Sequence, residues 1–401
     1  MKRFFLLLCA AAAVILAAPA SGQEPGRIFI DRTAGKKANP TLVFRGVTGN
    51  PALSERIFNN LRLCGWFDVR EGGMSDYVVS GNAAGTAVTL SLFNGANRKI
   101  ADFSASESSV DKTAAAAVDA ILKHEFNIPG ICRSKIVFST EIKPGVRDIY
   151  MCGFDGRDLT RITDNRTLSV EPVWAPDGKS IIYCFYGQTF TNLIQYRLDI
   201  GKSRRLTGYR GINAGGSISP DGKYVALILS RDRHIDLYIR SVEGGPLIRL
   251  TNDSAVEASP EWTPDGRGIC YVSDSAGRPL LYMVDPFRKT PPIRVSGIRG
   301  SERVTPDFAS DGTLAYSAKV GGDYVLTTAE MNGTQASMTK IGLPGTPDIP
   351  GEGPSWAPDN RHVVMAFKGV LFVVDTRLGT QRRLLRGSSR TFQPDWSPIL
   401  P

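Results

Sequence analysis

The side chains that most often carry chemistry are few and scattered in this sequence. Its 401 residues include three histidines, His124, His234 and His362, which fall in separate segments. A zinc site or a histidine base needs such groups brought to one place, and their spacing does not predict this. The six cysteines contain no Cys-x-x-Cys pair. These observations argue against metal and histidine chemistry.

Three short motifs of reactive or ligand-binding proteins are incomplete or missing. Gly178–Ser180 ends like a phosphate-binding loop, but Val173 stands where that loop needs its first glycine. Asp155–Asp158 offers too few oxygen ligands for a calcium loop. The chain has no Gly-x-Ser-x-Gly nucleophile elbow. We therefore predict that the protein is not an enzyme, with no catalytic residues, no cofactor and no metal.

A regular set of aspartates is the remaining candidate for chemistry. Asp177, Asp221, Asp265, Asp311 and Asp359 recur along the chain, each followed by Gly or Asn. In a hairpin turn, Pro suits the first central position, Asp the next, and Gly or Asn the left-handed position that closes the loop. The turn explains these carboxylates without catalysis.

The aspartates belong to a repeat whose typical form is Pro-x-Trp-x-Pro-Asp-Gly. Its anchor residue, most often Trp, falls at positions 174, 218, 262, 308, 356 and 396, with spacings of 44, 44, 46, 48 and 40 residues. Short apolar segments follow each turn, and four strands at this period are typical of a β-propeller blade. We predict a six-bladed all-β propeller over residues 134–401.

The two ends of the repeat region complement each other. Residues 135–163 supply three predicted strands with no turn motif before them, whereas Thr391–Pro398 supplies a motif strand with nothing after it. We expect the C-terminal strand to complete the first blade, because this closure leaves no open sheet edge at the seam.

The N-terminal third reads differently. Lys2 and Arg3 precede an apolar run of 15 residues and then small residues, which is typical of a secretory signal peptide over residues 1–22. The run is shorter than the ~20 residues that span a bilayer, so no transmembrane segment is expected after cleavage. Residues 23–130 alternate predicted strands with two helices, Ser54–Cys64 with Ser54 as N-cap and Lys112–Phe126, and predict a small α/β domain.

Charge and cysteine content narrow the partners and the compartment. The net charge of +9 becomes +7 without the two cations of the signal, and the basic residues form no long block. Nucleic acid is not an expected partner, while an acidic protein or an anionic surface stays open. Five cysteines follow the signal, so at least one is free or pairs between chains. Cys152, Cys184 and Cys270 lie in apolar runs and are expected to be buried thiols.

The order of these features resembles the TolB family, the periplasmic β-propeller components of the Tol–Pal system. The resemblance covers nearly the whole mature chain, including its end at Pro394–Pro398. Arg27–Asp31 is similar to the first strand of mature family members, and Ser273–Pro279 to the family's Ser-Asp-x-x-Gly-Arg-Pro segment. The repeat departs from the family pattern at four positions, Gly216, Ile218, Ser310 and Asn360.

The resemblance implies a monomeric periplasmic protein that binds other proteins and supports outer-membrane integrity and cell division. One mouth of the propeller would hold a Pal-type peptidoglycan-associated lipoprotein. The positions that match family contacts are Asn213, Ala214 and Glu257, joined by repeat analogy by Glu171, Glu302 and Glu352. A TolB-like propeller with another envelope partner and a propeller hydrolase are the alternatives.

The resemblance also implies a role for the mature N-terminus. When free, this tail would engage a TolA-type inner-membrane protein, and it would dock on its own protein when the Pal-type partner is bound. The tail residues predicted to bind are Gln23, Glu24, Arg27, Ile28, Phe29, Ile30 and Asp31.

Overall fold

The computed structural model describes residues 38–231, 234–387 and 390–400. Within these ranges the chain forms two helices and 29 strands, arranged as one five-stranded sheet and six four-stranded sheets. The predicted signal peptide and the tail residues 23–31 lie outside the described residues.

The N-terminal unit is a five-stranded sheet packed against two helices. The first strand pairs in parallel with its two neighbours, and the last three strands form an antiparallel meander. The sheet order is β2-β1-β3-β4-β5. The bounds are β1 Thr41–Thr48, α1 Pro51–Leu63, β2 Asp68–Arg70, β3 Tyr77–Ala84, β4 Ala87–Asn94, β5 Lys99–Ala105 and α2 Val110–Phe126.

The N-cap of helix α1 lies four residues before the predicted one. The side chain of Asn50 accepts a hydrogen bond from the Leu53 N–H at 3.1 Å, and Pro51 occupies the first helical position. Proline tolerates this position because the helix needs no N–H donor there. Ser54 lies inside the helix, where its hydroxyl accepts from the Val47 N–H at 2.9 Å. The prediction of Ser54 as the cap is therefore wrong.

Six four-stranded antiparallel sheets form the propeller, as predicted. The first strands of successive blades contact each other around the axis, and later strands lie further out. The bounds are β6 Lys135–Lys143, β7 Val146–Gly153 and β8 Thr160–Arg161 in blade 1; β9 Ser169–Trp174, β10 Ser180–Tyr186, β11 Thr191–Arg197 and β12 Lys202–Thr207 in blade 2; β13 Asn213–Ile218, β14 Tyr224–Arg231, β15 His234–Ser241 and β16 Ile248–Arg249 in blade 3; β17 Glu257–Trp262, β18 Ile269–Ser273, β19 Leu280–Val284 and β20 Ile293–Arg294 in blade 4; β21 Arg303–Phe308, β22 Leu314–Val320, β23 Asp323–Asn332 and β24 Gln335–Thr339 in blade 5; β25 Glu352–Trp356, β26 His362–Phe367, β27 Val370–Asp375 and β28 Gln381–Arg383 in blade 6; and β29 Thr391–Trp396, which returns to blade 1.

The C-terminal strand closes the ring. Strand β29 pairs with β6, with Thr391 opposite Thr140 and Trp396 opposite Ile136, so blade 1 has the order β29-β6-β7-β8. The indole N–H of Trp396 also donates to the Ser134 hydroxyl at 2.7 Å. The predicted closure is confirmed.

The repeated turns have the predicted backbone. Their closing residues take left-handed φ angles of 64°, 74°, 69°, 88° and 54° at Gly178, Gly222, Gly266, Gly312 and Asn360, respectively. In blade 2 the Gly178 N–H donates to the Ala175 carbonyl at 3.0 Å, and the Asp177 carboxylate accepts from the Lys179 N–H at 2.9 Å. The repeated aspartates thus hold the turns.

The N-terminal unit docks on the face of the ring where these turns lie, at blades 6 and 1. Arg56 donates to the Asp155 carboxylate at 2.7 Å, and Arg361 donates to the Asn39 side-chain oxygen at 2.8 Å. One continuous apolar cluster joins the unit to blades 6 and 1, from Leu61 to Trp396. Burial of this shared surface holds the unit on the propeller.

The five cysteines of the described residues are free and buried. They are Cys64, Cys132, Cys152, Cys184 and Cys270. The prediction of buried thiols in the apolar strands is confirmed. Burial raises the pKa of the Cys64 thiol to about 12, so this group is protonated and unreactive at neutral pH.

Candidate functional site

The propeller has two faces, and the predicted partner residues lie on the one opposite the N-terminal unit. We call this face the mouth. It is formed by the loops that enter each inner strand and by the hairpins that join the second and third strands of each blade. Asn213 and Glu257 begin inner strands, and Ala214 follows Asn213. The other face, with the repeated turns, is called the turn face.

The three residues added by repeat analogy do not occupy equivalent positions. Asn213 and Glu257 lie five residues before their anchors, whereas Glu352 lies four, Glu171 three and Glu302 six residues before. Because side chains alternate between the two sides of a strand, a shift of one residue reverses their direction. The predicted equivalence is wrong, although all five residues lie at or near the mouth. The true equivalents of Glu257 are Ser169, Asn213, Arg303, Gly351 and Thr391.

Every inner strand has a bulge at the same distance from its anchor. Three residues before the anchor, the backbone takes a left-handed φ between 46° and 59° at Glu171, Gly215, Ser259, Thr305, Gly353 and Gln393. The pairing register with the second strand shifts at this point in all six blades. The signal in the sequence was the recurring proline that follows the bulged residue in five copies.

Asn213 organises the loop before its strand and is fully buried. Its side-chain amide donates to the carbonyls of Thr191 at 2.8 Å and Tyr209 at 2.7 Å, and its oxygen accepts from the Tyr209 N–H at 2.9 Å. These bonds leave Asn213 no freedom to reach a partner. It positions its neighbour Ala214, which is half-buried at the mouth.

Glu257 is the most unusual of the predicted residues. It is only 2% exposed, and its Oε2 atom is buried with no hydrogen-bond partner in the described residues. The pKa of Glu257 is raised to about 8, mainly by burial and in smaller part by the nearby carboxylates of Asp253, Asp236 and Asp274. At neutral pH the Glu257 carboxyl group is therefore mostly protonated.

The three remaining candidates differ in what they contact. Glu171 accepts from the Gly215 N–H at 3.3 Å and so links blades 2 and 3. Glu302 pairs with Lys319 at 2.7 Å and accepts from the Tyr324 hydroxyl, and these contacts lower its pKa. Glu352 is exposed. Glu352 is therefore the one of these three residues that is fully open to a partner.

The residues that precede the anchors join the blades around the axis, which the sequence analysis missed. At four joints this side chain accepts a hydrogen bond from the N–H of the next blade's anchor. The pairs are Asp395 with Trp174 at 2.6 Å, Asp307 with Trp356 at 2.7 Å, Ser355 with Trp396 at 3.0 Å and Ser217 with Trp262 at 3.3 Å. The recurring short polar residue before the anchor was the available signal.

Three of the six residues that directly precede the anchors are acidic, namely Glu261, Asp307 and Asp395, and they lie close enough near the axis to affect each other. Burial raises the pKa of Glu261, Asp307 and Asp395, to about 7 for Asp395, and the Asp307 and Asp395 carboxylates add to the effect on Glu261. The described residues contain no group of three or more His, Cys, Asp or Glu arranged to hold a metal ion.

A buried polar network lies where the N-terminal unit meets blade 6. Asp359 accepts from the indole N–H of Trp66 at 2.9 Å and lies 2.7 Å from His362 Nδ1. Arg361 pairs with Asp375 and stacks its guanidinium over the Trp66 ring at 4.6 Å. Burial alone would raise the pKa of Asp359, but the contacts with His362 and Trp66 hold it well below its usual range.

Comparison with known proteins identifies the family. A family model described as the TolB beta propeller domain matches residues 126–400. The chain belongs to the TolB β-propeller family. A TolB structure from Acinetobacter baumannii has the same fold, with a TM-score of 0.80 at 20% identity, over 90% of this chain and 97% of that one.

Curated TolB proteins also resemble shorter parts of the chain. The Tol-Pal system protein TolB of Hahella chejuensis is 29% identical over 102 residues, covering 25% of this chain and 24% of the relative. The TolB protein of Thioalkalivibrio sulfidiphilus is 28% identical over 159 residues, 37% of each chain. The matched part therefore spans between about a quarter and two fifths of these relatives. In the part of this TolB-family chain that the structure describes, neither helix is long and apolar enough to cross a membrane.

Proposed function

We propose that this TolB-family protein is the periplasmic, protein-binding component of a Tol–Pal envelope system. The predicted signal peptide would deliver it to the periplasm, where its mouth holds a Pal-type peptidoglycan-associated lipoprotein. Its N-terminal tail engages a TolA-type inner-membrane protein. The link between the two membranes supports outer-membrane integrity and cell division.

The observation that carries this proposal is the placement of the two faces in a TolB-family ring. The N-terminal unit covers the turn face at blades 6 and 1, and it leaves the mouth free for a partner. Six loops and six hairpins converge there on a rigid scaffold, which supports a preformed concave binding site. The proposed partner is bound and released without any chemical step.

Ala214 and Glu257 are the mouth residues that a test should change together. Hot spots are few in most interfaces, so single substitutions are expected to be nearly neutral. We expect Ala214→Tyr combined with Glu257→Arg to abolish binding of the organism's Pal-type lipoprotein, measured by isothermal titration calorimetry. The matched control, Asp221→Arg on the turn face, should bind like the wild type.

Circular dichroism separates lost binding from lost folding. The double variant must keep the wild-type spectrum and a cooperative thermal transition for the result to count. Since Glu257→Arg buries a new charge, Ala214→Tyr with Glu257→Gln serves as a second, milder variant. Wild-type affinity in a well-folded Ala214→Tyr, Glu257→Arg protein would contradict the proposed use of this mouth.

The N-terminal tail is tested by truncation. The mature protein from Gln23 is compared with a version that starts at Thr33, using both the TolA-type and the Pal-type partner. We expect the shorter protein to lose the TolA-type contact and keep the Pal-type one. Docking and partner binding compete for one segment, so each must weaken the other by the same factor. Equal TolA-type binding by both versions would contradict this role.

The identity of the envelope partner is a separate question. A TolB-like propeller that serves another envelope protein would share the family fold and the free mouth. A pull-down from envelope extract with the mature protein distinguishes the two, because a Pal-type lipoprotein is expected among the captured proteins. Its consistent absence would favour the other partner.

A further inference from the structure

The mouth has a basic sector on blade 1 and the adjoining loops. Four exposed cations there, Lys143, Arg166, Lys368 and Arg386, form no ion pair with any described residue. Two more, Arg147 and Arg390, share Glu141 at 3.9 and 3.3 Å and lie over the Phe392 ring at 4.0 and 5.3 Å. The free cations therefore outnumber the acids in this sector.

The opposite sector, on blade 4, is acidic. Asp253 and Asp274 use one oxygen each to accept from the N–H groups of Ala255 and Val256, both at 2.8 Å. Neither carboxylate has a cationic partner among the described residues. The hairpin Ser273–Pro279 contains one cation, Arg278, at its exposed tip.

The buried oxygen of Glu257 is a second, independent feature of the acidic sector. Its Oε2 atom has no hydrogen-bond partner among the described residues, and the residue is only 2% exposed. In the sequence, Glu257 lies between Asp253 and Asp274. A buried oxygen without a hydrogen-bond partner is unfavourable, so a donor that reaches it would be bound favourably. A Lys or Arg side chain supplies both a donor and a charge opposite to the surrounding carboxylates.

Blades 1 and 4 face each other across the axis of a six-bladed ring. We propose that the mouth orients its protein partner by charge, taking a cationic side chain of the partner at blade 4 and acidic residues at blade 1. This inference rests on the proposed function and adds to it the orientation of the bound protein. Such complementary poles raise association rates and disfavour reversed docking.

Neutralising either pole should slow association. The acidic pole is changed by Asp253→Asn with Asp274→Asn, which keep an oxygen to accept the two backbone bonds. The basic pole is changed by Lys143→Gln with Arg386→Gln. Two pairs of substitutions on the turn face serve as controls, because each changes the net charge by the same amount as one of the mouth pairs. They are Asp177→Asn with Asp221→Asn and Lys179→Gln with Lys223→Gln.

The measurement is the association rate of the organism's Pal-type lipoprotein in lipid-free form, at low and at high salt. Each pair of mouth substitutions removes the charge of one pole. Both pairs should therefore lower the association rate about fivefold at low salt and little at high salt. Both turn-face pairs should stay within about twofold. If one mouth pair raises the rate, or neither differs from its control, the proposed orientation is wrong.

A peptide selection separates this inference from the proposed function. Peptides are selected from a random library for binding to the wild type, and those that also bind the Ala214→Tyr variant are removed. The remaining peptides are expected to carry both a basic residue and acidic residues. They should lose affinity for both mouth pairs. If they behave so while the lipoprotein fails to bind, only the proposed function is wrong. Peptides with charge of a single sign would overturn the inference.

Discussion

The half of the ring that carries the N-terminal unit differs from the opposite half in what the same repeat residue contacts. In blade 4, the turn residue Asp265 is exposed and bonds only within its turn, to the Thr263 hydroxyl and the Arg267 N–H. In blade 6, its equivalent Asp359 is 1% exposed and also binds Trp66 and His362. One motif thus serves as a local turn on the open side and as a domain interface on the docked side.

The largest expected effect comes from the seam on the docked side. Deletion of residues 391–401 removes β29 and leaves the edge of β6 unpaired beside the N-terminal unit. We expect the truncated protein to aggregate or lose its cooperative thermal transition in calorimetry. Deletion of Ile399–Pro401 alone keeps the strand and serves as control. A truncated protein that melts like the full chain would contradict the closed ring.

The second test compares the two turns directly. Asp359→Ala leaves the Trp66 indole and His362 without their buried acceptor and should cost about 2–6 kcal/mol in urea unfolding, because each buried donor left unpaired costs about 1–3 kcal/mol. Asp265→Ala removes only exposed local bonds and should cost less than about 1 kcal/mol. Similar losses at both positions would show that the turn itself, and not the interface, carries the stability.

The sequence predicted the repeat well because each blade is built from local signals. The Pro-Asp-Gly turn and the anchor are readable within one copy, the period of about 45 residues follows from comparing copies, and ring closure follows from the unmatched ends. The position of Asp359 in an interface depends on Trp66, which lies 293 residues earlier in the chain. No local pattern marks such a contact.

The candidate site was less predictable for the same reason. Glu257 and Glu302 look alike in sequence, yet Glu257 is buried with no cationic partner in the described part of the chain, whereas Glu302 pairs with Lys319. The two acids lie five and six residues before their anchors, and a shift of one residue along a strand reverses the direction of a side chain. Family resemblance located the mouth, whereas the burial and pairing of each side chain required the structure.

The third prediction concerns pH and the acids of the open side. Glu257 has its pKa raised from 4.5 to about 8, so between these values the unfolded chain releases a proton that the folded protein keeps. Stability from this group is therefore lost as pH rises through that window. We expect Glu257→Gln to melt like the wild type at pH 4 and at a higher temperature at pH 8.

An oppositely shifted acid provides the control for that experiment. Lys319 and Tyr324 lower the pKa of Glu302, so its stabilising contribution is present at neutral pH and is lost on acidification. Glu302→Gln should therefore melt slightly below the wild type at pH 7 and converge with it at low pH. A Glu257→Gln protein that follows the same trend as Glu302→Gln would contradict the buried, protonated state of Glu257.

The smallest expected effect distinguishes local undocking from global unfolding. Cys64 lies in the apolar cluster between the N-terminal unit and blades 6 and 1, whereas Cys270 lies in the core between blades 4 and 5. Both thiols are buried, and burial raises the pKa of each, so iodoacetamide should label neither quickly in the native protein. In Asp359→Ala, we expect mass spectrometry to show faster labelling of Cys64 with Cys270 unchanged, because the interface opens while the open-side blades stay folded. Equal acceleration at both cysteines would mean that the two halves unfold as one cooperative unit, and that the interface at Asp359 supports the whole ring.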